Sequence, residues 1–242
     1  MSALAHYLEE EGIASVAISL VRPQTENVRP PRALWVPFEL GRPFGPPSDP
    51  AFQTNVVMSA LRLLEIGTGP VILRDFLYDD PRERPDPGWH PPLSVAAAGG
   101  VSGDLATLLE SEISMLESNY AQSVAQRRRT IVGLSGMSIK GAGGYVAAWL
   151  RGEIPPSPTA EMSAPLALRF AVDDLKAYYI EAALIGPAKP SSTQIGDWFW
   201  DETAAGRAIV NLRQTHLASQ DDRLKAIAGL FLVPGVRVPP TG

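Results

Sequence analysis

The chain has 242 residues, a formal net charge of −5 and a pI near 5.3, with 45% hydrophobic and 19% charged residues and no cysteine. This composition supports a buried core, excludes disulfides, thiolate metal sites and a cysteine nucleophile, and argues against a general nucleic-acid binder. No apolar run approaches the ~20 residues that a membrane span needs, and the opening MSALAHYLEEEG has neither the basic nor the apolar region of a secretory signal, so a cytoplasmic location away from membranes is expected.

Residues 3–11 read as a helix, with Leu4, Tyr7 and Leu8 at helical spacing and Gly12 as its stop. IASVAISLV, Ile13–Val21, reads as a buried strand, RPQTENVRPPR as a loop, and ALWVPF as a second strand that Pro37 demotes to an edge or ends. Residues 51–66 form a helix capped by Asp49, with Pro50 at its first position. GPVILRDF, Gly69–Phe76, is a short strand or an extended segment. Fourteen of the 23 prolines fall between residues 21 and 92, so much of that region runs over the surface without regular hydrogen bonding.

The second half changes character. Asp104 caps a long helix from Leu105 to about Ile131, in which Leu105, Leu109, Ile113, Leu116, Tyr120 and Val124 mark one face. Arg127–Arg129 read as a solvated helix end, where cations suit the macrodipole. GLSGMSIKGAGG, Gly133–Gly144, is expected to break the helix before a short one over YVAAWLRG. Leu166–Ile185 is apolar almost all round and reads as a buried helix. Asp197 is expected to cap WFWDETAAGRAIVNLRQTHLA, and Asp221 or Asp222 a last helix. The predicted architecture is α+β, mainly α. A small α/β module with a two- or three-stranded sheet over 1–92 precedes a helical domain over 100–233.

The pieces AHYLEEEGIASVAI, PPRALWVPFELGRPFGPP and NVVMSALRLLE lie in an order and spacing that resemble a known family. They resemble the C-terminal module of the B subunit of the glycine, sarcosine, betaine and D-proline reductases, the selenoprotein B family. The resemblance covers residues 1–66. It implies a reductase-like system that cleaves a bond next to a carboxylate, using a selenocysteine or cysteine that lies upstream of the matched module. That nucleophile maps onto no residue here, and serine is not a soft anionic substitute for it near neutral pH.

Several constellations offer site residues. In the loop ELGRPFGPPSD, Arg42 is placed to clamp a small carboxylate ligand, with Gly41 and Gly45 letting backbone approach it; the competing reading pairs Arg42 with Glu39 or Asp49. Asp75, Asp79, Asp80, Asp86 and His90 lack the spacing of a calcium loop and read as a solvated acidic loop, so no metal is expected. GLSGMSIKGAGG follows a helix and does not match a nucleotide-binding loop, and no serine sits in a nucleophile elbow. Trp198, Phe199 and Trp200 are adjacent and cannot all enter one core layer of a regular helix. Trp198 or Trp200 therefore becomes a pocket wall or a wedge between helices. The pattern identifies neither a catalytic residue nor which cofactor, if any, is used.

Three functional readings follow. The first is an accessory or small-molecule-binding subunit that keeps the reductase-like module without its nucleophile. The second is a stand-alone enzyme with a pocket between module and helices, and the third is a helical oligomerisation protein. A two-strand sheet is too small to stand alone, so either the helical domain covers it or a second chain or another copy extends it.

Overall fold

A computed structural model of the chain describes residues 2–67, 71–93 and 103–238. The chain divides into two units, residues 1–84 and 85–242. Among the described residues nine α-helices accompany one three-stranded parallel sheet, an α+β fold that is mainly α.

The first unit runs α1 (Ser2–Glu10), β1 (Ala17–Ser19), α2 (Arg22–Val28), β2 (Arg32–Trp35), α3 (Pro50–Leu61) and β3 (Ile72–Asp75), with a 3-10 turn over Arg62–Glu65. The strands lie in the order β1-β2-β3 and all run parallel, as helical crossovers require. Asp49 caps α3 through the N–H of Phe52 (3.0 Å), with Pro50 in the first turn, as its sequence predicts. Val56, Ala60 and Leu63 then pack with Leu34, Ile72 and Phe76 in the unit's apolar core.

Three expectations change in this unit. The strand expected to be buried over Ile13–Val21 spans only Ala17–Ser19 and lies half-buried at the sheet edge, where one neighbour pairs it. RPQTENV is a helix, α2, with Pro23 inside its first turn and Arg29 ending it in the left-handed region at φ 52°. A proline in the first turn removes an N–H that has no intrahelical partner anyway, so it favours a helix start. The second strand stops at Trp35, two residues short of Pro37, and it is central. Its pairing on both sides is possible because every residue from Arg32 to Trp35 keeps its N–H. The third strand begins at Ile72; Gly69 and Pro70 of the predicted segment lie outside the described residues.

The second unit contains α4 (Leu105–Arg127), α5 (Ile139–Leu150), α6 (Ala164–Ala183), α7 (Ser192–Asp197), α8 (Ala204–His216) and α9 (Asp222–Leu230). Helix α6 is buried on most sides, with Ala167, Leu168, Ala171, Val172, Leu175, Tyr178, Tyr179 and Ala182 inaccessible to solvent. Each large apolar side chain so buried contributes roughly 1.5–3 kcal/mol, which makes α6 the organising element. Leu109, Ile113 and Leu116 of α4 meet it in the common core.

Three local expectations are corrected here. The glycines of GAGG do not break the chain; they lie inside α5, which Ser138 caps through the N–H of Gly141 (3.1 Å). Gly143 faces α4 so closely that a Cβ there would stand 2.3 Å from the Ile113 Cδ1, so the glycine serves helix contact. Asp197 does not cap a helix; it ends α7, which starts with a capping box between Ser191 and Gln194. Trp198–Glu202 then form one turn of π-helix, and Thr203 caps α8. Finally, residues 85–93 belong with the helical unit rather than with the α/β module. Trp89 donates to the carbonyl of Ala183 (3.2 Å), and Trp89 and Leu93 pack on the helical core. Proline-rich composition suits any surface segment and does not say which unit it covers.

Candidate functional site

A parallel sheet aligns its strand ends, and the carboxyl ends are where ligands of open α/β sheets bind. The register here places Ser19, Trp35 and Asp75 side by side as the last row of the three strands. With a side-chain period of two, they share one face with Ala17 and Ala33. Arg22, at the start of α2, spans the row. Its Nε and Nη2 donate to the two Asp75 oxygens (3.2 and 3.3 Å), its guanidinium lies 5.8 Å from the Trp35 ring, and it also pairs with Glu26. These carboxylates hold the Arg22 guanidinium above its ordinary value, Asp75 most strongly.

Beside this row lies an open groove of about 410 Å³. Its floor is the whole of β1 and the turn that follows, from Ala17 to Val21. Gln24, Thr25 and Val28 of α2 form one wall, and Ala3 and Leu40 close it. Its side-chain polar groups are Ser19, Thr25 and the exposed Gln24. The hydroxyls of Ser19 and Thr25 hydrogen-bond each other, and the Thr25 hydroxyl donates to the Val21 carbonyl (3.0 Å). No charged side chain lines the groove, so its chemistry suits a neutral ligand with an apolar body and one or two hydrogen-bonding groups.

The loop singled out by sequence is built differently from the expected clamp. Gly41 and Gly45 both adopt positive φ, 94° and 81°, which is why glycine stands there. At Gly45 a Cβ would also meet the Phe52 ring at 2.4 Å; at Gly41 the space is open. Arg42 pairs with Glu39 at 3.3 Å and approaches Asp80 to 3.9 Å, so its charge is engaged locally. Asp49, the other partner considered, is spent on capping α3.

Trp198 and Trp200 belong to the helical unit, and the structure separates their roles. Trp198 is a core residue, 1% exposed. Its indole N–H donates to the Leu93 carbonyl (2.9 Å), and its ring packs against Tyr179 and Trp89. The pocket-wall role considered for it is therefore corrected. Trp200 is half-buried, with its ring edge-on to Phe199. The π-turn explains how two adjacent aromatics, Trp198 and Phe199, both reach the core: its wider winding changes the angular step that a regular helix would impose.

The same unit holds buried carboxylates at positions where helix periodicity gives no signal. Glu112 of α4 is 3% exposed and accepts from the N–H groups of Ala204 and Ala205 at the start of α8 and from the Tyr179 hydroxyl (3.0 Å). Burial pushes the Glu112 carboxyl above its usual range, although those donors pull it back, and burial beside Glu112 keeps the Tyr179 hydroxyl protonated. A carboxyl whose folded value exceeds its unfolded one stabilises most below the unfolded value, and that contribution is lost as pH rises through the folded value. We expect Glu112→Gln, neutral at every pH, to lack this slope. Between pH 4.5 and 7, thermal unfolding should show the native chain losing ground against the variant as pH rises; a constant difference would contradict the upward shift.

Among the described residues no three His, Asp or Glu side chains come together as a metal site. Asp75 is held by Arg22. Asp86 accepts from the N–H groups of Lys189 and Gly88, which hold its carboxyl below the ordinary value. The groove residues Gln24 and Thr25 were not legible in the sequence because α2 reads as loop; the available signal was Pro23 as a first-turn proline. A scan against family models found no match to this chain, and searches of curated proteins and of solved structures found none either.

Proposed function

We propose that the first unit is a small-molecule-binding module of a reductase-like system, an accessory subunit that keeps the binding architecture without the nucleophile. The observation that carries this reading is the groove along β1 and α2, which Ser19 of the row Ser19, Trp35, Asp75 lines. The groove runs along the whole of β1 and the turn and helix that follow it, which supports a ligand site beside the sheet. The resemblance of residues 1–66 to the selenoprotein B module supplies the reductase-like context, and the absence of cysteine removes the thiolate such chemistry needs.

Arg42 is the weaker anchor in this reading, because Glu39 and Asp80 already neutralise it. A neutral molecule with an apolar body fits the groove better than the small carboxylate expected from the sequence. The three strands of three or four residues, with β1 and β3 at the edges, also leave the sheet open to extension by a second chain.

The test is ligand binding with a blocked groove. Gln24 is exposed at the groove wall, so Gln24→Trp should fill it with little effect on folding. Native mass spectrometry and thermal-shift titration against neutral metabolite-sized compounds should find a binder for the native chain, at least ~10-fold weaker for Gln24→Trp, a loss of about 1.4 kcal/mol. Equal binding by both proteins refutes the groove assignment. The isolated chain should not reduce glycine, sarcosine, betaine or D-proline with a dithiol donor; turnover would refute the accessory role.

A further inference from the structure

The connection between α4 and α5 is an exposed segment held with unusual rigidity. Asp174, 1% exposed, accepts from the N–H groups of Gly133, Leu134 and Ser135 and from the Ser135 hydroxyl, at 2.5–3.0 Å. Glu181, also buried, accepts from the N–H of Ile131 (2.9 Å), and the Tyr120 hydroxyl bonds Thr130 (2.9 Å). Val132 turns inward onto the helical core. The result is that Ile131 and Leu134, 76% and 54% exposed, are fixed facing water. Immediately before them stand Arg127, Arg128 and Arg129, all exposed and none in an ion pair among the described residues. A preorganised apolar tip beside a block of unpaired cations has already met the ordering cost of docking. Its complement is an apolar face with anions at one end.

The chain carries such a face. On α1, Ala5 is buried and Glu9 pairs with Arg32, while the opposite side exposes Leu4 and Tyr7, 54% and 67%, with Glu10 and Glu11 next to them. Glutamates at the carboxyl end of a helix oppose its dipole, and the last turn of α1 contains no basic residue to offset them. Cations supplied from outside would relieve that repulsion. We infer that the segment from Arg127 to Leu134 is a docking site for α1 of a second copy of this chain. Ile131 and Leu134 meet Leu4 and Tyr7, and the arginine block meets Glu10 and Glu11. Each copy offers both surfaces, so the contact either closes reciprocally in a two-fold pair or repeats in rings or chains of copies.

Charge reversal tests this directly on the full chain. Analytical ultracentrifugation should show salt-sensitive self-association of the native protein. It should be lost in Glu10→Arg/Glu11→Arg and, separately, in Arg128→Glu/Arg129→Glu, while circular dichroism shows both variants folded. Mixing the two variants should restore association, because each then meets an opposite charge. A folded Ile131→Ser/Leu134→Ser variant should also associate at least ~10-fold more weakly. A native chain that stays monomeric at all concentrations overturns the inference, as does association that survives both reversals. Binding of the monomeric native chain to phosphatidylserine vesicles, lost only on Arg128→Glu/Arg129→Glu, would overturn it in favour of a lipid surface.

Discussion

Asp174→Ala should lower the melting temperature of the helical unit by roughly 10 °C, about 3–4 kcal/mol at the 2–4 °C per kcal/mol typical of this size. Asp174 sits on α6 with both oxygens used: Oδ1 takes Gly133 and Leu134, and Oδ2 takes Ser135 twice. Hydrogen bonds to a charged acceptor contribute about 1.5–3 kcal/mol each when the donor cannot return to water. Gly133 and Leu134 are exposed and regain water when the carboxylate is removed, but Ser135, 1% exposed, does not. The cost is therefore dominated by Ser135 and falls well below the sum of four bonds. Asp174→Asn keeps one acceptor oxygen and should lose about half as much, whereas Ser135→Ala keeps the backbone bonds to Asp174, loses the hydroxyl's donation and its acceptance from the half-buried Met137 N–H (3.2 Å), and should cost least. If the three variants melt alike, the carboxylate is not what holds this segment.

Gly206→Ala separates helix propensity from packing by the sign of its effect. Gly206 lies in the first turn of α8, where alanine is intrinsically better than glycine by about 1 kcal/mol. The Cβ it would add stands 2.2 Å from the Phe199 carbonyl oxygen and 2.8 Å from the Trp200 Cα, both backbone atoms of the π-turn. Neither yields as a side-chain tip does. Thr203 ties the same atoms together, donating to the Phe199 carbonyl (2.6 Å) and accepting from the Gly206 N–H (3.0 Å). Overpacking of this kind costs roughly 1–3 kcal/mol or more. The expected result is net destabilisation by about 2 kcal/mol in urea unfolding, with altered near-ultraviolet signal from Trp198 and Trp200. A more stable Gly206→Ala protein would show that the turn relaxes freely.

The long apolar patterns were legible in the sequence because local periodicity records which face is buried. Leu109, Ile113 and Leu116 mark α4, and Leu168, Leu175 and their neighbours mark α6; both helices form on that pattern, although α4 ends at Arg127, short of the expected Ile131, whose N–H goes to Glu181 instead. Caps at Asp49, Asp104 and Asp221 were equally legible, since a side chain bonding an N–H two or three residues on is a local event. The tertiary structure decided what depends on residues far apart in the chain. Pairing of β2 on both sides needed Ala17–Ser19 and Ile72–Asp75 at once. Gly143 and Gly206 look like helix breakers until the Ile113 side chain and the Phe199 carbonyl are beside them. Glu112, Asp174 and Glu181 read as ordinary solvated helix carboxylates, and only backbone N–H groups such as those of Ile131, Gly133 and Ala204, brought to them from 41 to 92 positions away, make them structural. Arg42 attracted attention by its stiff loop, yet Glu39 and Asp80 claim it, while Ser19, Trp35 and Asp75 form a row only because three parallel strands end together. Charge and shape complementarity at a site are properties of such convergence, and a one-dimensional pattern does not carry them.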